Sequence, residues 1–259
     1  MNSLKNNEIA NLFLELLEVL RTLRAPGGCS WDQVQTSQSL IPYLLEETHE
    51  IIEAIETNNI DALKEELGDL LLHIIFQAEL ARESKQFNIM DSLENVIRKL
   101  VKRHPNVFND NVENANDSWE VSKQKEKKRK NILDGVPKTL PALLRARRIQ
   151  EKAASVNFDW KDINPVLNKV DEELSELKEA IIKKNTEMIK DELGDTLFSL
   201  VNLSRFLEID PESSLRGTIS KFENRFAKVE DELKKRGKSF SESNFKEMDE
   251  IWNLIKKSP

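Results

Sequence analysis

Lys169-Val-Asp-Glu-Glu173-Leu-Ser-Glu176, fifteen residues, then Glu192-Leu-Gly-Asp195: this stretch decides the reading of the chain. The intervening residues contain Lys183-Lys-Asn-Thr186, a polar break suited to a turn. Leu167, Val170, Leu174, Leu177 and Ile181 step by threes and fours before the break. Ile189, Leu193, Thr196, Leu197 and Leu200 do so after it, so each side predicts an amphipathic helix. Lys169, Glu173, Glu176 and Ala180 form a row on one border of the first apolar face, and Glu192 and Asp195 border the second. Residues three or four apart on a helix sit about 5–6 Å apart. If the apolar faces pack as an antiparallel hairpin, four carboxylates converge at the edge of the seam.

Carboxylates so close repel, and protons or a cation must neutralise them. All-oxygen ligation points to Mg²⁺, with Mn²⁺ a possible substitute, Ca²⁺ less suited and Zn²⁺ poorly suited. One such hairpin alone also fits a merely solvated helix border. The pattern, however, occurs twice. Glu46-Glu47-Thr-His-Glu50, fifteen residues, and Glu66-Leu-Gly-Asp69 reproduce the second copy at an offset of 126. A period of that length marks a duplicated domain, since solenoid repeats run about 20–50 residues.

Further elements repeat in order. Each copy continues to a Lys-x-x-x-Arg pair, Lys99 with Arg103 and Lys221 with Arg225. Each has a Trp before the acids (Trp31, Trp160) and another after the cations (Trp119, Trp252). Acids suit a metal, cations suit phosphates, and an aromatic plane suits a base.

These motifs, with Arg24-Ala-Pro-Gly-Gly-Cys-Ser-Trp31-Asp32-Gln-Val-Gln-Thr36 and Arg103-His-Pro-Asn-Val-Phe108, resemble the MazG-type nucleoside triphosphate pyrophosphohydrolases of the all-α NTP pyrophosphatase superfamily. The resemblance covers nearly the whole chain, as two tandem domains. It implies Mg²⁺-dependent hydrolysis of nucleoside triphosphates to the monophosphate and pyrophosphate, with the second copy the active one. It also implies that Glu173, Glu176, Glu192 and Asp195 ligate Mg²⁺ and that Lys169, Lys221, Arg225 and Trp252 contact nucleotide. Glu47, Glu50, Glu66 and Asp69 are the corresponding weaker set. One departure is Met188, where members can carry a Lys four residues before the Glu of Glu-x-Gly-Asp.

The remaining pattern predicts an all-α chain of two helical domains, residues 1–130 and 142–259, joined by a linker at 131–141. Helices are expected over Glu8–Leu23, Glu46–Ile55, Ile60–Ala81, Met90–Arg103, Leu140–Ala154, the two acidic arms of copy two, Pro211–Lys235 and Phe245–Lys257. Trp31 to Gln38 reads as a loop. Trp119 to Arg129 reads as a charged helix whose basic run, Lys123 to Lys130, is a solvated face. Gly68 and Gly194 fall mid-helix, where Gly costs about 1 kcal/mol against Ala; a closely approaching partner helix would explain both. Short hairpins with wide apolar faces predict a homodimer completing a four-helix arrangement. The net charge of −7 argues against stable nucleic-acid binding. No apolar run is long enough for a membrane span. One cysteine, Cys29, precludes an intramolecular disulfide and fits a cytoplasmic location. No Gly-x-x-x-x-Gly-Lys motif is present, which excludes P-loop chemistry. The rival reading is a non-catalytic nucleotide- or metal-binding regulatory protein. A structural scaffold is the third.

Overall fold

A computed structural model describes residues 2–108 and 131–257. Trp119 and the Lys123–Lys130 basic run lie outside the described residues. Every regular element among the described residues is helical. The chain divides into two compact units, Met1–Ala115 and Asn116–Pro259.

The first unit comprises α1 (Asn2–Arg24), α2 (Ser30–Val34), α3 (Ile41–Glu56), α4 (Ile60–Glu83), α5 (Ile89–Arg103) and α6 (Pro105–Phe108). Its α3 and α4 form the hairpin of copy one. Leu17 and Leu20 of α1 pack with Leu40, Ile75, Phe76 and Leu80 as a small core at the hairpin's base. The second unit comprises α7 (Ala142–Ala154), α8 (Ile163–Lys183), α9 (Thr186–Phe206), α10 (Pro211–Lys235) and α11 (Phe245–Lys257). Here α8 and α9 form the hairpin of copy two, and α10 and α11 form another. The segment before α7 is tied to this unit, because the buried Lys152 ammonium donates to the Ile132 carbonyl at 3.1 Å.

The two acidic hairpins turn identically. Asn58 and Lys184, 126 apart, both adopt the left-handed conformation with φ of 54°. The next residue caps the following helix: Asn59 accepts from the Ala62 amide and Asn185 from the Met188 amide. The Asn59 and Asn185 amides in turn donate back to Ala54 and Ala180. A left-handed residue with this back-bond closes one helix, and an Asn cap opens the next.

The seam between hairpin arms differs from the sequence expectation. In copy two Val166, Glu173 and Ala180, seven apart, are buried on α8, as are Thr196, Ser199 and Val201 on α9, the helix packed against it. Leu40, Glu47 and Ala54 repeat this spacing in copy one. The leucine faces are exposed instead: Leu174, Ile181, Leu193, Leu197 and Leu200 keep 39–53% of their surface. Periodicity identifies an apolar face without saying what covers it, and the small, acidic row suits the close contact between arms.

Two further differences are local. Ser30–Val34, expected as loop, is a helical turn pinned from behind. Arg24, stacked over Phe76 and paired with Glu83 at 2.6 Å, donates to the Asp32 carbonyl. Gly28 sits where a Cβ would lie 2.3 Å from the Leu23 carbonyl oxygen, so only glycine fits. Gly68 and Gly194 have nothing within 4 Å of a built Cβ, so the expected close helix approach is not made among the described residues.

Candidate metal centre

In copy two the seam brings together Glu173 from α8 and Glu192 and Asp195 from α9. One carboxylate oxygen from each lies within 4.8 Å of the others. Glu176, one turn beyond Glu173, groups instead with Glu172 and Glu173. Its charge still reaches across the hairpin. Partial burial first, then the charges of Glu176, Glu173, Asp195 and Asp191, hold the Glu192 carboxyl above its ordinary range. Glu173 is buried to 8% exposure beside Lys169, whose Nζ lies 2.7 Å from it and 2.7 Å from Glu172. Hydrogen bonds to Glu172 and Glu173 raise the Lys169 ammonium above the ordinary lysine range. The positive charge amid the acids of copy two is therefore supplied by the chain itself.

Copy one solves the same repulsion differently. Glu47, Glu66 and Asp69 converge within 4.8 Å, and position 43 carries a tyrosine. Desolvation first, then Asp69, Glu50 and Glu66, push the Glu47 carboxyl up to about 7. The Glu66 carboxyl is raised as well, by desolvation and then by Glu50, Glu65 and Asp69. Glu50 acts through its charge and lies outside the converging trio. Tyr43 meets the Trp31 ring edge-on at 5.6 Å and stacks on His73 at 6.5 Å. His73 Nε2 approaches Glu47 at 3.9 Å, and its Nδ1 is buried with no hydrogen-bond partner. Burial lowers the His73 pKa against the raising effect of Asp69, which leaves the imidazole neutral near pH 7. His49 is exposed.

Sequence reasoning missed His73 and the part played by Glu172. His73 stands one turn after Asp69, a signal that the apolar run around it obscured. Glu172 was visible only as the first Glu of Glu-Glu-x-x-Glu.

The other sequence-derived contacts lie on the α10–α11 hairpin. Lys221 is exposed and Arg225 half-exposed, and among the described residues no ion pair joins either to the acids. Trp252 is half-buried: it lies 5.1 Å from Phe222 and packs on the Val229, Leu233 and Ile251 cluster. Part of its surface is thus committed to holding α10 against α11.

The donor set fits a hard divalent cation. At metal–oxygen distances of about 2.0–2.1 Å, oxygens sharing an octahedral ion lie about 2.9 Å apart when adjacent and about 4.2 Å apart when opposite, so the trio, whose oxygens lie within 4.8 Å of one another, would draw together around one ion. In copy two an ammonium already stands against this oxygen-only set, and no thiol or imidazole belongs to it. Fold and site together define a duplicated helical-hairpin protein with a carboxylate cluster in each hairpin that could hold a metal ion.

A family model described as the MazG nucleotide pyrophosphohydrolase domain matches residues 35–108 and again 163–229. The chain belongs to this family. It is 47% identical over 251 residues to the Nucleoside triphosphate pyrophosphohydrolase/pyrophosphatase MazG of Thermotoga maritima, covering 96% of this chain and 97% of that protein. It is 39% identical over 254 residues to the Nucleoside triphosphate pyrophosphohydrolase of Escherichia coli, covering 93% and 96%. It is also 41% identical over 253 residues to the uncharacterized protein YabN of Bacillus subtilis, covering 95% of this chain and 52% of that one. Both matched segments enclose an acidic hairpin whole.

Proposed function

We propose that the protein is a Mg²⁺-dependent nucleoside triphosphate pyrophosphohydrolase that converts NTPs or dNTPs to the monophosphate and pyrophosphate. The observation that carries this is the convergence of Glu173, Glu192 and Asp195 across α8 and α9, inside a segment matched to the pyrophosphohydrolase domain. The Thermotoga maritima and Escherichia coli relatives, both named as nucleoside triphosphate pyrophosphohydrolases, support the same reading.

Glu173, Glu176, Glu192 and Asp195 would hold Mg²⁺, with Mn²⁺ a substitute; Glu47, Glu50, Glu66 and Asp69 are the second, weaker set. When bound, the ion neutralises triphosphate charge and polarises phosphorus. The protein groups do the rest. Lys169, Lys221 and Arg225 bind phosphate oxygens and stabilise the departing pyrophosphate. A carboxylate of the Glu173–Glu176 pair orients or deprotonates the attacking water. The open edge of Trp252 stacks on the base.

The working assembly is a homodimer in the cytoplasm, built from tandem domains at 1–130 and 142–259. Exposed leucine faces on both acidic hairpins, and the open space over Gly68 and Gly194, support burial by a second chain. No helix among the described residues is long and apolar enough to cross a membrane.

Incubation with NTPs and dNTPs in Mg²⁺, with released pyrophosphate and monophosphate measured, tests the activity. Tight nucleotide binding without release would favour the regulatory reading. Sedimentation of Leu197→Asp tests the dimer: the variant should sediment as a monomer, and an unchanged profile would remove this face from the interface.

A further inference from the structure

Lys169 sits between two uses. Its Nζ lies 2.7 Å from both Glu172 and Glu173. Glu173 also belongs to the trio with Glu192 and Asp195, whereas Glu172 does not. A divalent ion in the trio would therefore share its buried carboxylate with a positive ammonium. Charges of +1 and +2 about 5 Å apart repel appreciably even in water. The lysine has somewhere to go. Its side chain is 36% exposed, Glu172 remains as an anchor outside the trio, and four methylenes allow a wide swing. Resting on the pyrophosphohydrolase reading above, we propose that Lys169 is a displaceable internal counter-ion, holding Glu173 in the metal-free protein and passing to a phosphate oxygen of the substrate when a divalent cation takes that carboxylate.

Metal and triphosphate then bind site two cooperatively. The ion frees the ammonium for the phosphate, and the phosphate gives the ammonium a partner other than Glu173. Linkage makes the two effects equal. Copy one is the internal comparison. Tyr43 occupies the register of Lys169 and brings no ammonium, so metal binding there displaces no side-chain cation.

The test uses the full-length protein without nucleotide and Mn²⁺ as probe, with free Mn²⁺ followed by electron paramagnetic resonance. Lys169→Met should tighten one class of sites about ten-fold, the scale of the repulsion removed. Tyr43→Lys should weaken the other class about ten-fold. In the wild type, Mn²⁺ should speed amine labelling at Lys169, read by peptide mass spectrometry. Unchanged or weaker Mn²⁺ binding by Lys169→Met, or labelling indifferent to Mn²⁺, overturns the counter-ion. If Lys169→Met does not fold, the Tyr43→Lys and wild-type labelling arms decide in the same way. None of these arms contains nucleotide. A failure of the wild type to release pyrophosphate is thus a separate result: it overturns the enzymatic reading and the passage to phosphate.

Discussion

Glu47→Gln should stabilise the metal-free protein, by an amount that grows from about pH 4.5 to about pH 7 and is constant above that. Glu47 stands at the centre of the copy-one seam, 18% exposed, with its carboxyl pushed from an ordinary 4.5 to about 7 by desolvation and by Asp69, Glu50 and Glu66. Between those values the native protein holds a proton that the unfolded chain has released. Stability on this account is therefore largest at low pH and is lost as pH rises through 7. At 1.36 kcal/mol per pH unit the displacement is equivalent to about 3 kcal/mol. Water on the open side of the hairpin screens it to about 1–2 kcal/mol. Glutamine keeps the shape of the protonated carboxyl and carries no charge at any pH. In EDTA at pH 8 the variant should exceed the wild type by about 1–2 kcal/mol, or roughly 3–8 °C in melting temperature for a unit of this size. At pH 5 the two should nearly coincide. Mg²⁺ should raise the wild-type melting temperature at pH 8 more than that of the variant. Circular-dichroism melts over pH 5–8 measure all of this. A variant gain that is equal at every pH, or a loss at pH 8, would refute the repulsion argument.

Glu176→Ala should abolish pyrophosphate release while Glu50→Ala retains most of it, because copy one carries Tyr43 in the register of Lys169, the ammonium proposed to bind phosphate; equal losses in a release assay would overturn the asymmetry. Trp252→Ala should weaken nucleotide binding by roughly 1–3 kcal/mol and also lower the melting temperature, since the ring packs against Phe222 and the α10–α11 cluster. Calorimetric titration beside a melt separates the effects, and an unchanged melt would remove Trp252 from the packing. Gly28→Ala should cost about 2–3 kcal/mol, because its Cβ meets backbone oxygens rather than yielding side chains; urea unfolding with a wild-type midpoint would show that the α1–α2 turn can open.

Helix identity and turn position were legible because both are local. Asn58-Asn59 and Lys184-Asn185 carry their own left-handed and capping chemistry, and Phe245–Lys257 is bounded as its periodicity requires. The acid rows were legible as well, since helical spacing places them on one border of each arm, and the structure brings Glu173, Glu192 and Asp195 together across the hairpin. What the sequence could not show was which face met which. The leucine stripes identify surfaces to be covered, but the structure buries Glu173, Ala180, Thr196 and Ser199 and leaves the leucines open. His73 and Glu172 escaped notice for a related reason. Their roles come from pairing across or along the hairpin with groups that a one-dimensional pattern does not couple.

The shared hairpin turn also restricts how this protein can change over generations. Glu47 and Glu66 are nineteen positions apart, as are Glu173 and Glu192. The interval spans one arm, the left-handed residue, the Asn cap and the start of the next arm. Inserting a single residue within an arm would turn everything beyond it by about 100° and carry one carboxylate off the seam. Beyond the hairpin the copies have drifted in length: Lys99 and Lys221 are 122 apart, not 126. The acidic hairpins therefore tolerate letters being exchanged but not gained or lost, while the connections around them tolerate both. A survey of natural variation in this chain should find insertions and deletions gathered in those connections and missing from residues 47–69 and 173–195.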